Sequence, residues 1–321
     1  MNDRVLITGG TGFLGSALAK KLVELNFDVI LFDNNVRGSL DKIKNIYDKV
    51  TFVDGDIRNI DDVKKVSSNI DTIFHLAFIN GTKYFYEKPE LVLDVGVKGA
   101  LNILDFAGQS KANTFIMASS SEVYNTPTTI PTLENERAIV TDIKNPRFSY
   151  AGGKLISELL TVNYFRKTTI RDMIFRPHNI FGPDMGNEHV IPDLVKKIFI
   201  ASNNLRKIEC TIDIQGSGKE TRAFCYIDDA VDQLICMMNH GKKGELYNIG
   251  MQKEIDIKQL VADISSILKV KTVIKPSEVL MGSTSRRCPN TSKIKSLGYK
   301  EINNYHVGLE KTINWYIENL K

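Results

Sequence analysis

Tyr150 and Lys154 stand four residues apart in the stretch Tyr-Ala-Gly-Gly-Lys. At that spacing two side chains share one face of a helix, and an ammonium beside a phenol lowers the phenol's pKa. Tyr150 would then be a base near neutral pH, with Lys154 tuning it. Upstream, the polar run Ser119-Ser120-Ser121-Glu122-Val123-Tyr124 follows an apolar stretch, so a serine hydroxyl and a carboxylate can reach the same cleft. A base at a hydroxyl removes only a proton. Oxidising the carbon that bears it also needs a hydride acceptor, which is a cofactor's work.

The start of the chain offers a place for that cofactor. Val5, Leu6 and Ile7 read as a strand covered on both faces, and Gly9, Gly12 and Gly15 follow at spacings of three. The first glycine permits a tight turn, the second lets the backbone approach a pyrophosphate, and the third lets the next helix pack closely on the strand. The amides that open this helix, those of Phe13 and Leu14 among them, favour the anion. A second strand, Val29 to Phe32, ends in Asp33, which with Asn34 is placed to meet the adenosine ribose hydroxyls. Asp33 would repel a 2′-phosphate, so the reading is NAD rather than NADP, with nearby Arg37 the one residue that speaks against it.

The elements that position these residues alternate. Val50 to Val53 is a third strand, ending in Gly55-Asp56-Ile57-Arg58, where Asp56 could accept from an adenine amino group or cap the next helix. Thr72 to Ala77 is a fourth, in which His75 reads as a packed core histidine and small Ala77, after Leu76, lets a cofactor lie against the backbone. One helix from about Pro89 to Ala107, the strand Thr114 to Ala118 and a helix from Tyr150 to about Phe165 follow. The fold class is therefore α/β, a Rossmann-type doubly wound parallel sheet with a smaller C-terminal α/β substrate lobe. Ligands of such sheets bind outside the carboxyl ends of the strands, where Gly9, Asp33, Ala77 and Ser119 all fall. In the C-terminal helix, Leu309, Ile313, Trp315 and Tyr316 read as core packing.

Composition bounds the partners. With 321 residues the chain exceeds the size at which one core stops growing, hence the appended lobe. A net charge of +4 and the lack of any long basic run point away from nucleic acid and anionic membranes. Cys210, Cys225, Cys236 and Cys288 are scattered without metal-ligand spacing, so neither a bound metal nor a disulfide framework is expected, and reduced thiols suit a cytoplasmic protein. The N-terminus enters a core strand at once and no apolar run approaches a membrane span, which leaves no room for a signal peptide or anchor.

Together, Thr8-Gly-Gly-Thr-Gly-Phe-Leu-Gly15, Gly55-Asp56-Ile57, His75-Leu-Ala77, Ser119-Ser-Ser-Glu-Val-Tyr124, Tyr150-x-x-x-Lys154, Arg176-Pro-His-Asn-Ile-Phe-Gly-Pro183 and Arg222-Ala-Phe-Cys-Tyr-Ile-Asp228 resemble the extended short-chain dehydrogenase/reductases. These are the NAD-dependent nucleotide-sugar epimerases, dehydratases and decarboxylases. The resemblance implies that a tyrosine removes the C4 hydroxyl proton of a sugar while the C4 hydride passes to NAD, giving a 4-keto sugar. Carried over, Tyr150 is the base, Lys154 tunes it and holds the nicotinamide ribose, Ser120 hydrogen-bonds the same oxygen, and Glu122 serves any later step. It further implies that Arg222 and one of Arg286 and Arg287 meet the substrate's diphosphate or ribose, and that Asn179 lies on the diphosphate side. His178 beside it is not the usual occupant, and Asn80, Ser121 and Gln215 are further polar candidates for the sugar cleft. The expected division is a cofactor domain over residues 1–175 and a nucleotide-sugar lobe made mainly of 176–321, the chain being free to cross back into the main sheet. Pairing of the helices that start near Pro89 and Tyr150 would give a homodimer or homotetramer.

Departures from the family pattern separate the reactions. Gly96-Val-Lys-Gly-Ala100 stands where the family often has Asn-Val-x-Gly-Thr, so a contact near the nicotinamide is lost. Ser121-Glu122 stands where glucose-type 4,6-dehydratases carry Asp-Glu; GDP-mannose dehydratases and uronate decarboxylases carry Ser-Glu there, and simple 4-epimerases usually have no glutamate. With Phe78-Ile79-Asn80-Gly81-Thr82 and His178, the pocket is most similar to that of bacterial GDP-heptose (GDP-D-glycero-alpha-D-manno-heptose) 4-dehydrogenases of capsule synthesis. Epimerisation and 4,6-dehydration stand close behind, and a non-catalytic NAD-binding regulator is the reading from another class.

Overall fold

Val5, Leu6 and Ile7 have no exposed surface, and all residues of the strands Thr72–His75 and Thr114–Ala118 are buried. Continuous apolar burial of this kind marks a parallel sheet covered on both faces. The computed structural model describes residues 3–278, 284–302 and 304–320. Its first half comprises β1 (Arg4–Thr8), α1 (Phe13–Glu24), β2 (Asp28–Asp33), β3 (Val50–Asp54), α2 (Ile60–Val63), β4 (Thr72–His75), α3 (Thr82–Glu87), α4 (Pro89–Leu93), α5 (Gly99–Gln109), β5 (Thr114–Ala118), α6 (Phe148–Phe165) and β6 (Arg171–Pro177). The second half adds β7 (Ile180–Phe181), α7 (Val190–Ala201), β8 (Glu209–Gln215), β9 (Thr221–Ala223), β10 (Cys225–Tyr226), α8 (Ile227–His240), β11 (Glu245–Ile249), β12 (Glu254–Asp256), α9 (Ile257–Leu268), β13 (Lys271–Ser277), β14 (Arg286–Arg287), α10 (Ser292–Lys295) and α11 (Tyr305–Leu320).

Seven strands form the main sheet in the order β11-β6-β5-β4-β1-β2-β3, every pair parallel. The doubly wound Rossmann-type sheet expected from the sequence is therefore present. Alternate side chains of one strand feed opposite cores. Val5 and Ile7 join Leu18 and Leu22 of α1, whereas Leu6 joins Ile103 and Leu104 of α5. Each fully buried leucine of such a face contributes about 1.5–3 kcal/mol. Connections leave β1 and β4 toward opposite sides, so a crevice opens between them beyond their carboxyl ends. Strand β11 comes from the second half of the chain and closes the far edge of the main sheet beside β6. The remaining short strands form small sheets of their own, β10-β7, β12-β9-β14 and β13-β8.

Two expected elements end differently. The fourth strand stops at His75 rather than Ala77, because the Leu76 amide donates to the Thr8 carbonyl and the Ala77 amide to the Thr8 hydroxyl as the chain turns out of the sheet. The single helix expected over 89–107 is broken into α4 and α5 by a π-helical turn at Asp94–Lys98. Gly96 lies in that turn, and its carbonyl accepts from Ser157 of α6 at 3.2 Å. The C-terminal helix packs as expected, with Leu309 and Ile313 fully buried.

One buried ion pair joins α6 to β6. Arg176 donates to both oxygens of Glu158, at 2.8 and 2.6 Å, and the two residues are only 4% and 6% exposed. Arg176→Met should lower the unfolding free energy in urea by about 3–5 kcal/mol, because Glu158 would stay buried and unpaired. Adding Glu158→Leu should recover most of that loss.

Candidate active site

The turn between β1 and α1 is shaped by two close approaches of backbone to backbone. Gly9 has φ +74°, and a Cβ there would stand 2.8 Å from the Ala77 nitrogen. A Cβ on Gly15 would collide with the Gly9 carbonyl. Gly12 differs, since its Cβ would meet only the Gly9 oxygen, at 3.2 Å, and the room above it is left for a ligand. Gly12 is also the N-cap of α1 and no side chain caps it, so the first amides of the helix face an anion site. A cavity of about 640 Å³ opens there, lined by Gly9, Gly12, Phe13, Leu14, Gly15, Asp33, Asn34, Asp56, Ile57, Leu76, Ala77 and Asn80.

Asp33 and Asp56 hold the far end of this cleft. Asp33 accepts from the amides of Thr11 at 3.0 Å and Asn35 at 2.9 Å, which fixes its carboxylate at the edge of the sheet. Asp56 takes the Arg58 guanidinium on both oxygens and the Asn34 amide at 3.3 Å, and hydrogen bonding from Arg58 keeps its carboxyl below the usual range. The helix-capping alternative for Asp56 falls to Asn59, which accepts from Asp61 N at 3.0 Å. Arg37 lies 4.9 Å over the Tyr84 ring at the cleft wall. His75 is a core histidine, 1% exposed, with Nδ1 2.7 Å from the Thr8 hydroxyl and burial lowering its pKa to about 3.

The catalytic candidates come from β5 and α6. Ser120 caps the turn after β5, accepting from the Glu122 amide at 3.1 Å, and its hydroxyl is close enough to Tyr150 to favour the ionised phenol. Tyr150 and Lys154 share the buried face of α6, at 7% and 3% exposed. Glu122 is gripped by Arg287 at 2.6 Å and faces Arg147 at 3.6 Å. Burial works to raise its pKa, but Arg287, Arg147 and Arg222 outweigh burial and hold it below the ordinary value, so the carboxyl is ionised.

The expected electrostatic effect of Lys154 on Tyr150 is not present in this arrangement. Burial pushes the phenol up to about 12, opposed by the Ser120 hydrogen bond, and burial brings Lys154 down to about 7 against the pull of Glu158. The ammonium is directed at the Ala118 carbonyl, 2.6 Å away, and a half-neutral amine so placed does little to a neighbouring phenol. Tyr150 and Lys154 are not among the residues that border the cleft directly. Phe78 lines it instead, 4.0 Å from Nζ of Lys154 and edge-on to Tyr150 at 5.3 Å. Phe85 stacks on the Tyr150 ring at 4.7 Å.

A family model described as the NAD dependent epimerase/dehydratase family matches residues 5–250. The chain belongs to this family. It is 31% identical over 328 residues to a UDP-N-acetyl-alpha-D-glucosaminuronate decarboxylase of Bacillus cytotoxicus, covering 99% of both chains. It is 30% identical to the dTDP-D-glucose 4,6-dehydratase of Homo sapiens, over 98% of this chain and 90% of that one. Among solved structures, the epimerase Mth375 of Methanothermobacter thermautotrophicus superposes with a TM-score of 0.86 at 27% identity, over 99% of this chain and 93% of that one. The protein is thus an NAD-dependent enzyme of the epimerase/dehydratase family, and the cleft fits the cofactor that the family is named for. The room above Gly12, the uncapped α1 and Asp33 suit its pyrophosphate and adenosine ribose.

The expected substrate residues are spread unevenly. Asn80 is exposed at the cleft, with its Oδ1 accepting from Gly81 N. Ser121 is buried in the turn after Ser120. Arg222 donates to the carbonyls of Thr221, Thr284 and Ser285, and burial with repulsion from Arg287 brings its pKa down to about 10. Arg287 is the arginine of its pair that reaches Glu122, while Arg286 is exposed and paired with Glu254. Asn179 has φ +43° and donates to the Ala223 carbonyl at 3.4 Å. Gln215 is exposed at the end of β8 and does not line the cleft. His178, a substrate candidate from the sequence, lies in the interior. It is 1% exposed, with Nε2 3.1 Å from Asn248 Oδ1, its ring beside Tyr124 and its Nδ1 buried without a partner.

Sequence reasoning missed Arg147, the packing of Phe78 against Tyr150 and Lys154, Phe85, and the segment Asp184–His189 that also lines the cleft. For Arg147 a signal existed, one helical turn before Tyr150; for the others the juxtaposition is tertiary. The lowered Lys154 pKa has a testable sign. Between about 7 and the ordinary lysine value of 10.5 the unfolded chain carries a proton there that the folded one does not, so this residue makes stability rise with pH across that window. Melting scans should show the wild type gaining on Lys154→Met as pH rises from 7 toward 10, and a pH-independent gap would refute it.

Proposed function

We propose that the enzyme oxidises the C4 hydroxyl of a nucleotide-diphosphate sugar to a ketone. The observation that carries this reading is the convergence of Ser120, Tyr150 and an ionised Glu122 beside the dinucleotide cleft, in a chain whose relatives act on nucleotide sugars. With Tyr150 ionised to its phenolate, the sugar hydroxyl approaches Tyr150 and Ser120; its proton passes to the phenolate oxygen while C4 loses its hydrogen as hydride and a C=O bond forms. NAD bound in the cleft supplies the hydride acceptor and the positive charge that favours a phenolate. Ser120 holds the reacting oxygen, and the closely packed walls around Tyr150 keep water away. Arg222 and Arg287, close to Glu122, suit an anionic part of the substrate.

The 4-keto sugar can be released, re-reduced on its other face, or carried on with Glu122. We take release as the first reading, with a GDP-linked manno-heptose the first substrate to try, because the Phe78–Thr82 segment departs from the glucose-type enzymes. Epimerisation and 4,6-dehydration form the second reading; for dehydration Glu122, held ionised beside Arg287, is the carboxylate at hand. Incubation with GDP-, UDP- and dTDP-sugars followed by mass analysis separates them. Loss of two hydrogens means dehydrogenation, loss of water means dehydration, and unchanged mass with altered stereochemistry means epimerisation. In every case Tyr150→Phe should lower turnover by roughly 10²–10⁴-fold, and unchanged turnover would sink the mechanism.

Leu93, Ile156, Leu159 and Tyr164 leave an apolar face exposed on α4 and α6, and we propose that a second copy of the chain covers it. Light scattering should report at least a dimer, with Leu159→Lys shifting it toward monomer. A wild-type monomer at working concentration would count against this.

A further inference from the structure

One aromatic residue packs against both Tyr150 and Lys154, and the chemistry above does not use it. The Phe78 ring centroid lies 4.0 Å from Nζ of Lys154, and the ring meets Tyr150 edge-on at 5.3 Å between centroids. Phe78 also lines the dinucleotide cleft, whereas Ser120, Tyr150 and Lys154 do not. Its ring is therefore the wall between the cofactor's cleft and the groups that must meet the cofactor.

The ring has a seat built from two missing side chains. A Cβ on Gly96, in the π-helical turn, would stand 2.5 Å from Cε2 of Phe78, and a Cβ on Gly153 of α6 would stand 3.1 Å from its Cζ. Neither glycine has a positive φ, so backbone conformation does not demand glycine at either place. What they provide is room for the ring. Lys154 completes the seat: its ammonium donates to the Ala118 carbonyl at 2.6 Å and otherwise faces the π-cloud. The contact is favourable, yet it is made only of a rotatable aromatic side chain that is itself half-buried and borders an open cleft.

We propose that Phe78 is a gate, whose ring in the resting protein occupies the room that the nicotinamide end of the dinucleotide needs beside Tyr150 and Lys154, so that cofactor binding requires the ring to leave its Gly96–Gly153 seat. Apparent affinity is then reduced by the fraction of molecules with the ring out. A gate-open population on the order of 1–10% lowers affinity by roughly ten- to a hundredfold. The gate also gives Gly96 a reason beyond a lost polar contact, since any side chain there would hold Phe78 permanently outside.

The test needs no sugar nucleotide, and its outcome is therefore independent of which reaction the enzyme performs. NADH binding is followed by the enhancement of its fluorescence, at equilibrium and by stopped flow, with melting scans confirming that each variant is folded. Phe78→Ala should tighten NADH binding and speed its association by at least about tenfold. Gly96→Ala, whose Cβ would evict the ring while leaving it in the sequence, should move both quantities in the same direction. The double variant should add nothing beyond Phe78→Ala, because both changes remove one obstacle. Variants that bind NADH no tighter and no faster than the wild type would overturn the gate. So would weaker binding by folded Phe78→Ala, which would make Phe78 a contact of the cofactor. If Phe78→Ala does not fold, Gly96→Ala and Phe78→Leu decide the question on the same criteria.

Discussion

Glu158, one helical turn beyond Lys154 on α6, receives the Arg176 guanidinium on both oxygens and the Ser119 hydroxyl on one. Arg176 in turn spreads over the Tyr124 ring at 4.5 Å and reaches the Glu134 carbonyl. The helix that carries Tyr150 and Lys154, the turn that carries Ser120 and Glu122, and the strand that leads to Asn179 are thus fastened at one buried charge pair. Its Coulomb energy is offset by desolvation, so the pair is better understood as fixing geometry than as adding stability. With this knot in place, Ser120 reaches Tyr150, and Glu122 reaches Arg287 from a segment 165 residues away.

The two halves of the site solve different electrostatic problems. At the cleft the attraction for an anion comes from backbone amides at the start of α1, which can approach because Gly12 carries no side chain. Around Glu122 it comes from arginines whose charges exceed the single carboxylate they surround. Amides suit a pyrophosphate held the same way in every turnover, and arginines suit an anion that must also be aligned, through their forked donors.

Between these halves lies the most apolar part of the site. Phe78 packs against both Tyr150 and the buried Lys154, Phe85 stacks on Tyr150, and the pKa values of the tyrosine and the lysine both move toward the neutral forms. A resting site of this kind is electrostatically quiet. Charge enters it with the ligands, and the transfer chemistry belongs to the assembled complex rather than to the isolated side chains.

What the sequence by itself determined is what local pattern and spacing encode. Apolar runs placed β1, β2 and β5 almost to the residue and a mixed run placed β3, and the glycine triplet with Asp33 located the cleft, because a strand, a tight turn and a helix start are each specified within a few neighbours. Tyr150 and Lys154 fell on one helix face for the same local reason. The tertiary structure decided what those residues experience. It took His178 into the interior beside Asn248, turned Lys154 toward Ala118, split the expected helix around Gly96, and set Phe78 on Tyr150 and Lys154. Each of these depends on partners dozens of residues away, and burial, which sets a pKa or closes a cleft, is a property of how elements stack and not of the residue that feels it.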